Sequence, residues 1–185
     1  MNAPSGISRR IRQCSRHIAE QDWEAALINL YPAIDHTAKK RRPKAGVGER
    51  IKAFLTDEET LISVIATGGA FKGRINGVTV PEALYKICRT SIVHEGQLDP
   101  RLQFNTDGML LLGQDKWHFP KGYILGMTLA VVIAPENVHE AEAAEFGFSL
   151  GGSWLELNSL WGQKVKVQQN IAAQFGVADL FEDSP

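Results

Sequence analysis

The stretch from Tyr123 to Ala134, YILGMTLAVVIA, contains no charged side chain and constrains the fold more than any other. It falls well short of the ~18 apolar residues a membrane span needs, so other protein must cover it. A helix without a polar face requires neighbours on most sides. Pro120 suits a helix start, and the pattern predicts a strongly apolar helix from Pro120 to about Ala134, buried on most faces.

The neighbours are legible upstream. Ser5 is a candidate cap for a helix from about Ile7 to Glu20, with Ile7, Ile11, Cys14 and Ile18 as its apolar stripe and Arg9, Arg10, Arg12 and Arg16 around the rest. Asp22 is placed to cap a longer helix through Leu27, Leu30, Ile34 and Thr37, closed by Pro43. Two shorter helices follow, one through Ile51 and Phe54, the other with Leu61, Ile62 and Ile65 inward. Gly68, Gly69, Gly73 and Gly77 then mark an ordered loop.

Thr79 and Pro81 open the next helix, PEALYKICRTSIVHEG, in which Leu84, Cys88 and Ile92 form a buried stripe and Gly96 gives a stop. Beyond it the period shortens. Arg101–Asn105 and Met109–Leu112 around Asp107-Gly108 read as a hairpin, with a further strand at Lys116–Phe119. Glu136–Glu145 reads as an exposed acidic helix. Phe146–Leu150 and Trp154–Leu157 read as a second hairpin. A last helix through Val165, Val167, Ile171 and Phe175 ends at Gly176, and the tail FEDSP is expected to fray. The expected fold class is mainly α, a helical bundle with short β-hairpins inserted in the C-terminal half. It forms one domain over residues 1–185, with core helices at about 7–98 and accessory hairpins and helices at about 99–180.

Net charge is −1, but residues 1–50 carry ten Lys and Arg against five Asp and Glu, and residues 136–185 carry two against eight. Such polarity suits a polyanion on one face, or opposite ends of two subunits. Cys14 and Cys88 lack metal-ligand spacing and read as core thiols of a reducing compartment. With no signal-peptide pattern in MNAPSGISRR, the expectation is a cytoplasmic protein without membrane contact.

Several motifs fail in context. GFSLG around Ser149 resembles a nucleophile elbow, yet no histidine follows His139 to complete a triad. GGAFKGR lacks the Gly-Lys-Ser/Thr ending of a phosphate loop. His94-Glu95 and His139-Glu140 lack the second histidine of a zinc protease, and no metal or cofactor is expected.

Two features carry chemistry. The run Lys39, Lys40, Arg41, Arg42, with Lys44 beyond Pro43, is either a solvated helix end or an RNA-binding element, aided by Arg10, Arg12 and Arg16 if the first two helices pair antiparallel. Arg89 and His94 stand about 140° apart on an ideal helix. Structurally, Arg89 would pair with a carboxylate such as Asp35 and His94 would satisfy a helix end. Functionally, His94 would move a proton to or from ribose oxygens while Arg89 holds phosphoryl oxygens. One histidine cannot readily fill both proton-transfer roles, so a two-fold dimer would complete the site.

RTSIVH, Arg89 to His94, within LYKICRTSIVHEG resembles the motif of the HEPN superfamily, an Arg and a His separated by a short spacer. LYPAIDHTAKKR resembles the family's first long helix, and the likeness runs from about Ile7 to Leu98. The resemblance implies a helical bundle that dimerises through its motif helices and, in active members, cleaves RNA without a metal. Arg89 and His94 would be catalytic, with Thr90, Glu95 and Asp35 in support, although Thr90 stands where the family often has Asn or Asp. Its bacterial context would be stress response, toxin–antitoxin pairing or phage defence. The alternative is a non-catalytic module of the same fold that binds RNA or a partner protein.

Overall fold

The computed structural model describes residues 5–75, 77–86, 99, 102–105, 108–113, 116–141, 147–150 and 153–182. The chain is mainly helical, with short strands interspersed. Helix α1 (Gly6–Ala19) begins at Ser5, whose hydroxyl accepts from the Ile7 and Ser8 amides. Helix α2 (Trp23–Arg41) begins at Asp22, which accepts from the Ala25 amide. These caps supply acceptors to amides that have no partner within the helix. Helices α3 (Val47–Asp57) and α4 (Glu59–Thr67) follow, and Gly68 ends α4 in the left-handed conformation.

The loop after α4 contains a two-residue ribbon, β1 (Arg74–Ile75) antiparallel to β2 (Val78–Thr79), with Gly77 at φ +80°. Helix α5 (Val80–Ala83) is set by a capping box in which Thr79 and Glu82 exchange hydrogen bonds. It continues into a π-type turn at 84–86. Leu84 is buried, and its carbonyl accepts from the Tyr31 hydroxyl of α2 at 2.8 Å. Tyr85 lies against α3, where a side chain at Gly48 would meet its hydroxyl.

Helix α6 (Gly122–Ile133) is the apolar segment, and from Tyr123 to Ala134 nearly every residue is buried. It packs on α4, α2 and α1. Cys14 and Thr128 join α1 to α6 at 3.5 Å. Phe119 stands edge-on to Tyr123, with ring centres 5.1 Å apart. The core therefore crosses the expected boundary near residue 98: Leu102, Phe119 and α6 share one apolar cluster with α1–α4.

Four expectations need correction. Strands β3 (Leu102–Asn105) and β4 (Leu111–Leu112) do not pair with each other. Strand β5 (Trp117–Pro120) lies between them, parallel to β3 and antiparallel to β4. After β3, Asn105 Nδ2 donates to the Met109 carbonyl at 2.7 Å and Gly108 lies at φ +79°, while residues 106–107 of the expected turn lie outside the described residues. The central place goes to the strand whose Phe119 must reach the core.

Residues 135–141 form no acidic α-helix. Pro135–Asn137 is a single 3-10 turn, because fully buried Asn137 donates to Thr37 Oγ1 and to the Val131 carbonyl and so holds the chain against α2 and α6. Finally, Val165 and Phe175 are exposed on the last helix, α7 (Lys164–Phe175). Lys164, Val167 and Ile171 make its inner face. Its end at Gly176 and the β6 (Gly147–Leu150)–β7 (Ser153–Glu156) hairpin follow the sequence reading. Phe181 of the expected frayed tail packs against the core. Among the described residues, no helix is long and apolar enough to cross a membrane.

Candidate nucleic-acid interface

Helix α2 carries two cationic surfaces. At its C-terminal end, three members of the basic run are engaged by carboxylates. Arg41 Nε and Nη2 meet Glu136 Oε1 and Oε2 at 2.7 and 3.2 Å, and Nη1 meets Asp57 at 2.8 Å and Glu58 at 2.9 Å. The Arg41 guanidinium also stands 4.8 Å over the Phe54 ring. Arg42 grips both oxygens of Asp57, at 2.7 and 2.9 Å. Lys164 reaches the same Glu58, itself only 1% exposed, at 3.1 Å. Burial would raise the Asp57 and Glu136 carboxyls, but the arginine hydrogen bonds outweigh it and hold both below the usual range.

Lys40 donates to Glu140, to Asn137 Oδ1 and to the Glu136 carbonyl, and Glu140 also receives the Ser5 hydroxyl. Lys40, Arg41 and Arg42 thus tie the end of α2 to α3, α4, α7 and the 135–140 turn. Lys39 and Lys44 are exposed.

The second surface lies where α1 runs antiparallel to α2. A cleft of about 480 Å³ is lined by Gly6, Arg9, Arg10, Arg12, Gln13, Asn29, Pro32 and His36. No carboxylate is among these described lining residues. Arg10 Nη1 lies 3.4 Å from Asn29 Oδ1, and the Asn29 amide is held by the Ala25 carbonyl at 2.9 Å. The Ile7–Ile11–Cys14 stripe is buried against α2 and α6, which leaves Arg9 and Arg10 exposed on the outer side. Asn29 and Lys39 are ten residues apart on α2, or roughly 15 Å at 1.5 Å per residue. The other end of the cleft is nearer, since His36 stands three residues, about one turn, before Lys39. Arg16 pairs instead with Glu20 at 3.2 Å.

Arg50 grips Asp35 at 2.7 and 3.0 Å. Arg89, Thr90, His94 and Glu95, with Cys88, lie outside the described residues. Gln13, Asn29 and His36 were missed as site residues because no motif marks them. The available signal was helical spacing, with Arg9 and Gln13 four apart on α1 facing Asn29 and His36 seven apart on α2.

No solved structure matches the chain. It is 26% identical over 174 residues to the uncharacterized protein Rv1289 of Mycobacterium tuberculosis (strain ATCC 25618 / H37Rv), covering 84% of this chain and 81% of that one. The uncharacterized protein Mb1320 of Mycobacterium bovis is similar to the same extent. The Rv1289 family matches residues 6–179, from the first turn of α1 past the end of α7, and the chain belongs to that family.

Proposed function

We propose that this protein is an RNA-binding module that presents the outer face of α1 and the adjoining face of α2 to the nucleic acid. The observation that carries the reading is the cleft, which gathers the exposed Arg9 and Arg10 with amide side chains and has no carboxylate among its described lining residues. Guanidinium groups suit phosphate oxygens because their planar donors pair bidentately. The carboxylate-bound Arg41 and Arg42 are less suited, since a phosphate would first have to displace Asp57 or Glu136. Lys39 and Lys44 extend the positive surface. The direct measurement is RNA binding by fluorescence anisotropy at increasing salt. Affinity is expected to fall steeply as salt rises, as counterion release requires. A protein that fails to bind RNA at low salt would end this reading.

A second reading adds cleavage, and RTSIVH favours it. Under it, the protein is a HEPN-type, metal-independent endoribonuclease acting as a cytoplasmic homodimer in bacterial stress response or phage defence, restrained by an antitoxin or other partner. His94 would act as general acid or base and Arg89 would stabilise the charge that develops on the phosphoryl group. RNA cleavage in EDTA that disappears in His94→Ala and in Arg89→Ala is the expected result. Intact RNA, or cleavage unaffected by His94→Ala, would leave only the binding function.

A further inference from the structure

From the α1–α2 cleft we infer a subsite for one nucleotide of a single-stranded chain, with Arg9 and Arg10 on the phosphate and Gln13 and Asn29 on the base. The inference rests on the RNA-binding reading and specifies its ligand. Size is the first argument. At about 480 Å³ the cleft lies within the roughly 300–1,000 Å³ of small-molecule sites, which suits a single nucleotide unit and not a duplex. Chemistry is the second. A site for phosphate alone needs only cations, whereas this one also places two carboxamides and the His36 imidazole on its walls. Carboxamides offer a donor and an acceptor together, the complement of a base edge. An imidazole gives a flat surface for stacking, as single-strand recognition uses.

Preorganisation is the third argument. Asn29 is fixed by its own helix through the Ala25 carbonyl, and its Oδ1 faces Arg10 Nη1. The residue meant to read the base therefore touches the residue meant to hold the phosphate.

The test is anisotropy with a labelled single-stranded RNA, competed by the matching duplex, by a mononucleotide and by an acidic peptide. Single-stranded RNA is expected to compete at least about tenfold better than the duplex or the mononucleotide. The exposed pair Arg9→Ala/Arg10→Ala should weaken binding about tenfold or more and lower the salt slope by about 0.7, for the one phosphate contacted on a single strand. Lysines at both positions should restore the slope. Asn29→Ala and Gln13→Ala should alter the ranking of homopolymers while leaving the slope in place. Equal competition by duplex, or arginine variants that bind as the parent does, would overturn the subsite while RNA binding elsewhere on the surface stands. Binding of the acidic peptide, itself labelled, by a protein that binds no RNA would overturn both readings, in favour of a protein partner.

Discussion

Gly126 has no room for a side chain. A Cβ there would lie 2.8 Å from the Ile62 carbonyl oxygen and 2.9 Å from its Cα, and one at Gly122 would lie 2.7 Å from the Ala66 Cα. The two glycines, four apart, let α6 approach α4 backbone to backbone. Gly126→Ala is expected to destabilise the fold by about 1–3 kcal/mol, because the obstacle is backbone that cannot rotate away; urea denaturation would measure this. Cys14 makes a second prediction at this scale. Burial pushes its thiol up to about 12, and the Thr128 contact only partly opposes the shift. In a Cys88→Ala background, Cys14 should resist alkylation at pH 8 in the native state and react once urea unfolds the chain. Its burial was legible from the i, i+4 stripe of α1. The glycine contact was not, because a glycine in an apolar run does not reveal which helix will cross it.

Capping made several elements readable. Ser5, Asp22 and Thr79 each stand where a helix needs an acceptor, and each serves as one. Helix α7 is different. Gln163 provides no side-chain cap, and Lys164 and Lys166 occupy the first turn, the positive end of the dipole. What holds this end is tertiary: Lys164 on buried Glu58, beside Arg41 on the same carboxylate. Glu58→Ala would remove the buried carboxylate that Arg41 and Lys164 share and should cost about 3 kcal/mol. Loosening should begin at α7, seen as early amide exchange over 164–172. The same logic explains why residues 135–141 are not an exposed acidic helix. Glu136 and Glu140 are partners for Arg41 and Lys40, and buried Asn137 holds the turn in place.

For the molecule as a whole, the carboxylates around α2 set the response to acid. Asp57 and Glu136 titrate lower in the folded chain than in the unfolded one, so the unfolded state takes up protons first as pH falls. Their contribution is therefore fully present above their unfolded values, ~3.9 and ~4.3, and is lost as pH falls through the lower folded values. Glu59 acts in the opposite sense: burial raises it, with Lys72 opposing, so its penalty appears as pH rises past its unfolded value and is complete above its folded one. Urea midpoints should drop on acidification below about pH 4, and Asp57→Asn should flatten that drop. The sequence by itself determined the helical class, the helix starts and the burial of Tyr123–Ala134, because caps and apolar periodicity act over a few residues. It also named the cations at the end of α2 and on α1. Only the tertiary structure decided that Lys40, Arg41 and Arg42 meet carboxylates while Arg9 and Arg10 line a cleft with no carboxylate among its described residues. Asp57, Glu58, Glu136 and Glu140 come from distant parts of the chain, and which cation each neutralises depends on how α3, α4 and the turn after α6 pack around α2.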